Sequence, residues 1–169
     1  MSVMGSYDWS NFKQRIPIRA SREEIYRALA TLTGLQRWFL RVAEFSKSDG
    51  LLRGADSPVE VGDTYRWLWY GYPNSVEERG KVLEAVNNDH VRFTFAGGCN
   101  VRMSIIEENG TLIVELIQDN IPLDEDSRVS LHLECSTGWT FYLANLKSML
   151  EGGIDLRNKD EAIRGVLNA

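Results

Sequence analysis

Between about residues 42 and 119 the chain alternates apolar and polar residues in short runs, and that period of two commits it to an antiparallel sheet. Tyr65, Trp67 and Trp69 fall on one face, against Arg66, Leu68 and Tyr70 on the other. The run Glu77 to Val86 passes through Asn87-Asn88-Asp89 into Val91, Phe93 and Phe95. Val101, Met103 and Ile105 alternate with Arg102 and Ser104, and Asn109-Gly110 then reverses the chain into Leu112, Val114 and Leu116, as an Asn-Gly hairpin turn does. With one strand over Phe12–Arg19 and a short one near Val42–Ser46, about seven strands joined mainly by hairpins are expected. Pro17 lacks a ladder donor, which places the first strand at an edge or a bulge.

The remaining segments are helical. Ser21-Arg22-Glu23-Glu24 is a capping box, and Ile25, Ala28, Leu29 and Leu32 give the following helix its apolar face. Thr33-Gly34-Leu35-Gln36 offers a second start, with Leu35, Trp38 and Phe39 on its apolar side. Beyond the acidic segment Asp119–Asp126, Trp139, Leu143, Leu146 and Leu150 recur at helical spacing, and Gly152-Gly153 ends them. Val129, Leu131, Leu133 and Cys135 suit either a strand or the start of that helix. The expectation is one long helix, interrupted or closely packed at Gly138. A single domain is expected over 1–169, with its core in 12–151 and a C-terminal tail, 152–169, that finds little core to join.

The order of strand, two short helices, strand meander and long C-terminal helix resembles the single-domain bacterial relatives of the C-terminal domain of the activator of the heat-shock-protein-90-kDa ATPase. These belong to the START, polyketide-cyclase and birch-pollen-allergen (SRPBCC) superfamily. The residues that carry the resemblance are Ile16-Pro17-Ile18-Arg19-Ala20-Ser21 with Glu24-Ile25-Tyr26, Leu35 and Trp38, and Gly62-Asp63-Thr64-Tyr65. Gly80-Lys81-Val82, Asn109-Gly110-Thr111-Leu112, and Gly138-Trp139 with Leu143, Leu146 and Leu150-Glu151 complete it. The resemblance implies an α+β helix-grip fold, a curved antiparallel sheet around the long helix with a cavity between them, and no catalytic set. The eukaryotic activator has a further N-terminal chaperone-binding domain to which nothing in this sequence corresponds. Ligand binding is therefore the leading expectation, and a co-chaperone-like module acting on a chaperone ATPase the alternative.

Charge narrows the partners. Lys plus Arg number 19 against 24 Asp plus Glu, a net charge of −5, which disfavours nucleic acid and anionic membranes. No apolar run reaches the ~20 residues of a bilayer span, and Met1–Asn11 lacks the apolar core of a signal peptide. Cys99 and Cys135 show no metal-ligand spacing and read as reduced thiols of a cytoplasmic protein. Nucleophile and phosphate-cradle motifs are missing, so no cofactor, metal or catalytic residue is assigned.

Five Trp in such a chain stand out. Tyr65, Trp67, Trp69, Phe93, Phe95 and Met103 from the sheet, facing Trp139 and Leu143 from the helix, are the expected wall of a site for a small apolar or amphipathic molecule. His90 and His132 read as surface or capping residues. Glu84, by its parity with Val82 and Val86, is the carboxylate that could turn inward and serve a cyclase- or dehydratase-type enzyme. Glu115, Glu77-Glu78 and Asp124–Asp126 read as solvated charge. A homodimer involving the tail is also open.

Overall fold

A computed structural model describes residues 6–167. The signal-peptide reading of Met1–Asn11 and the end of the tail therefore lie partly outside the described residues. Strand β1 (Phe12–Pro17) is followed by α1 (Arg22–Ala30), α2 (Leu32–Trp38), β2 (Val42–Ser46), β3 (Thr64–Leu68), β4 (Glu78–Val86), β5 (His90–Phe95), β6 (Cys99–Glu108) and β7 (Thr111–Asp119). Then α3 (Glu125–Ser127), a π-helical segment (Arg128–Glu134) and α4 (Cys135–Leu150) run on one from the next. The strands form one antiparallel sheet in the order β1-β7-β6-β5-β4-β3-β2. This is the α+β helix grip.

Period-two patterning makes the sheet two-faced. Phe45, Tyr65, Trp67, Val82, Phe93, Val101, Met103, Val114 and Leu116 are buried on the face turned to α4. The outer face carries paired charge: Arg15 with Glu108 and Glu115, Arg92 with Glu84 and Asp119, and Arg66 with Glu44 and Glu77. β1 is an edge strand that ends on Pro17, where a missing ladder donor costs least. The Gln14 side chain turns inward from β1 to donate to the Ser136 carbonyl at 2.7 Å, and Lys147 donates to the Pro17 carbonyl at 2.7 Å. These bonds tie α4 to the sheet edge.

Three expectations are corrected. First, α2 is capped by Thr31 rather than Thr33. The Thr31 hydroxyl donates to the Arg27 carbonyl at 2.7 Å and accepts from the Gly34 N–H at 2.9 Å, so one side chain closes α1 and opens α2. Second, the long helix changes character at Arg128–Glu134, not at Gly138. Hydrogen bonding from i to i+5 widens the turn, so apolar residues there recur at neither helical nor strand spacing. Third, the tail does join the core. Asn145, fully buried on α4, donates to the Trp38 carbonyl at 2.8 Å and accepts from the Leu156 N–H at 2.8 Å. Arg157 donates to the carbonyls of Leu40, Gln36 and Arg37 at 2.9–3.1 Å and pairs with Asp155 at 2.7 Å.

Candidate functional site

The grip closes on an aromatic core. Tyr65 stacks on Trp67 with centroids 3.8 Å apart, and Phe93 meets Trp67 edge-on at 4.9 Å. Phe95 approaches Trp139 at 5.4 Å. Phe39, just past α2, enters this group and lies 4.8 Å from Trp139 and 5.0 Å from Tyr142. Met103 and Leu143 are buried behind the rings. The side chains singled out in the sequence are thus packed together, but as filled core: Tyr65, Trp67, Phe93, Met103, Trp139 and Leu143 are buried against one another.

Open volume lies at one end of this core. A cleft of about 600 Å³ is bounded by Trp69, Tyr72 and Val76 from the β3–β4 side, by Leu133, Thr137 and Tyr142 from the helix, and by Leu167 from the tail. Among the residues expected as walls, Trp69 lines this cleft, and Phe95 packs behind it at 6.5 Å. Phe39, Tyr72, Leu133 and Tyr142 were not among the expected wall residues. Tyr72 sits in a loop without periodicity, and Leu133 in the π-helical turn. Phe39 was visible only as an apolar residue with no assigned partner, and Tyr142, three residues past Trp139 and so on the same helix face, went unassigned.

Gly138 lines the cleft from the helix. A Cβ at this position would meet nothing within 4 Å, so packing does not require glycine. Glycine inside a helix costs about 0.5–1 kcal/mol relative to alanine. What its missing side chain provides is space in the cleft.

Polar groups on the inner face are few. Gln118, fully buried on β7, donates to the Leu131 carbonyl at 3.0 Å and accepts from the Trp139 indole at 3.1 Å. It joins the end of β7, the strand beside the sheet edge, to the π-helical turn. Replacing Gln118 with leucine strands both partners and is expected to destabilise the fold by about 1–3 kcal/mol in urea denaturation. The buried Trp67 indole N–H has no acceptor among the described residues.

Glu84 does not face inward. Val82 pairs with Phe93 but Glu84 pairs with Arg92, so β4 has a bulge of one extra residue that reverses its parity. On the outer face the hydrogen bond from Arg92, with help from His90, holds the Glu84 carboxyl below its ordinary range despite some burial. The inward carboxylate is instead Glu78, opposite Trp67 in the ladder. It is half-buried rather than a solvated loop charge. Burial pushes its carboxyl up, against a hydrogen bond from the Ala96 N–H at 3.2 Å.

Neither histidine is a surface residue. His90 is buried between Glu84 at 2.8 Å and Asp89 at 2.5 Å. His132 is buried where the Tyr7 hydroxyl and the Trp9 carbonyl bracket its two ring nitrogens at 2.9 and 3.1 Å. Trp9, which the sequence left without a place, packs edge-on against His132 at 5.1 Å. Cys99 is buried and Cys135 half-buried; both are free, and burial pushes both thiols up. Among the described residues no His, Cys, Asp and Glu side chains group as metal ligands, and no helix is long and apolar enough to cross a membrane.

Solved structures share this architecture. The Aha1 dimer of Colwellia psychrerythraea is 27% identical, with a TM-score of 0.64 over 85% of this chain and 97% of that one. A Staphylococcus saprophyticus protein is 17% identical, with a TM-score of 0.67 over 93% of this chain and 98% of that one. DynU16, from the dynemicin biosynthetic locus, is 15% identical, with a TM-score of 0.64 over 89% of this chain and 50% of that one. The last two show the fold alone. No curated protein matches the sequence. Residues 19–151, from the end of the first strand to the end of the gripped helix, match the family described as Activator of Hsp90 ATPase homolog 1-like protein, and the chain belongs to that family.

Proposed function

We propose that this protein binds a small apolar or amphipathic molecule in the cleft at the open end of the grip, with Trp69 as the ring shared between core and ligand. The observation that carries the reading is Gly138, a helix-interior glycine that packing does not need, set in the wall of a cleft of about 600 Å³. That volume is of the size that takes small-molecule ligands. Tyr65, Trp67, Phe93, Phe95, Met103, Trp139 and Leu143 then act as backing, holding Trp69 and the helix face at a fixed separation. Its free thiols suit a cytoplasmic protein.

Two substitutions at Gly138 test the reading with the neutral dye Nile red as probe. Gly138→Ala is expected to stabilise the fold by about 0.5–1 kcal/mol and, taking up only a methyl group's share of the cleft, to weaken dye binding slightly. Gly138→Trp is expected to fill the cleft and weaken binding more than about tenfold, because the ligand loses the burial that holds it. Equal binding by all three proteins would place the ligand elsewhere. A chaperone as partner is a separate reading, prompted by the family description. The same tryptophan separates the two, since it blocks the cleft but leaves contacts elsewhere on the surface unchanged. The Colwellia relative is a dimer, so a homodimer of this chain is proposed on that ground, with sedimentation as its check.

A further inference from the structure

The structure assigns a charge class to the ligand of this cleft: a protonated amine carrying an apolar body. The assignment rests on the cleft reading above and deepens it. Among the lining residues Glu134 is the charged one, and no Lys, Arg or His joins it. Glu134 is solvent-exposed and has no ion pair among the described residues. Its carboxylate is therefore free to meet a cation without first breaking a bridge.

Two further features fit the same sign. Trp69, Tyr72 and Tyr142 supply aromatic rings around the space, and aromatic faces attract an ammonium group through their quadrupoles. The Thr137 hydroxyl, one helical turn from Leu133, already donates to the Leu133 carbonyl at 3.0 Å. Its proton is thus committed, and what it offers the cleft is an acceptor lone pair. A fatty carboxylate or acidic aromatic placed here would face Glu134 without any cation to offset it.

The nearby cations, Arg41, Lys159 and Arg164, line a different depression on the other side of Tyr72, together with Asp160 and Glu161. Arg41 is bonded there to the Trp69 carbonyl and to Asn74, and Lys159 is paired with Asp155 at 3.0 Å.

The test uses three probes with one chain and different heads: decylamine, decanol and decanoate, each below its micelle concentration at neutral pH, displacing Nile red. Decylamine is expected to bind about tenfold more tightly than decanol, and decanoate more weakly than either. Glu134→Gln should remove most of decylamine's advantage over decanol, leaving only the share the rings supply, and leave decanol unchanged. Decanoate binding as tightly as decylamine, or an amine preference that Glu134→Gln leaves undiminished, overturns the assignment. Decanol binding with no amine preference overturns the charge class and leaves the cleft reading standing. Failure of all three probes to displace the dye overturns both.

Discussion

Replacing Arg157 with alanine is expected to destabilise the protein by about 3–5 kcal/mol, the range for breaking a buried ion pair by removing one partner. The Arg157 side chain is only 2% exposed, and its guanidinium satisfies three carbonyls at the end of α2 and the turn after it while pairing with Asp155. Helix C-termini leave carbonyls without partners, and here a side chain from far along the sequence supplies the donors. Without it those carbonyls and the Asp155 carboxylate stay buried with fewer partners. Asp155 reports on the same pairing through pH. Burial alone would push its carboxyl up, but hydrogen bonds from Arg157 and Lys159 outweigh this and hold it well below the ordinary carboxylate range. A carboxylate whose folded pKa lies below its unfolded value near 4 stabilises the fold above that value. The contribution is lost as pH falls through the folded pKa. Urea midpoints measured from pH 7 down to pH 2 should therefore drop less steeply in Arg157→Ala than in the parent protein. A variant within about 1 kcal/mol of the parent at pH 7 would mean that the tail is only loosely held.

The sheet was legible because its evidence is local. Alternation at Tyr65–Trp69 and Val101–Ile105, and a turn at Asn109-Gly110, each need only a few consecutive residues. What the sequence hid depends on a single residue's offset or on distant contacts. The bulge between Val82 and Glu84 moves Glu84 to the outer face and leaves Glu78 as the inward carboxylate, and no pattern in the strand announces an extra residue. The π-helical turn at Arg128–Glu134 obeys neither of the two periods that sequence patterning looks for. Arg157 looks like any surface arginine until Asn145 and the end of α2 are in place around it. The candidate site was half legible for the same reason. Rings on regular strands could be assigned to a face, whereas Tyr72 and Leu167 reach the cleft from segments without a repeat.

Gly34→Ala should destabilise the protein by about 3 kcal/mol or more, at or beyond the upper end for overpacking, although alanine is the better helix former. A Cβ at Gly34 would lie 2.0 Å from the Arg27 carbonyl oxygen and 2.7 Å from the Ala28 Cα. Those atoms are backbone of the preceding helix, so no side-chain rotation relieves the clash and α1 and α2 must separate. Their crossing also sets the position of Trp38, whose indole donates to the Ala28 carbonyl at 2.9 Å, and of Phe39 next to it. Phe39 touches Trp67, Trp69, Trp139 and Tyr142, so a shift at Gly34 propagates directly into the aromatic core beneath the cleft. Near-ultraviolet circular dichroism, which reports the packing of these rings, should change together with the urea midpoint. The same substitution at Gly138 is expected to act with the opposite sign, because its Cβ meets nothing. Both glycines are helical and both changes add one methyl group, so propensity predicts equal gains. If the two variants do gain equally, the close approach of α1 to α2 is wrong; if they diverge as expected, one glycine serves the fold and the other the cleft.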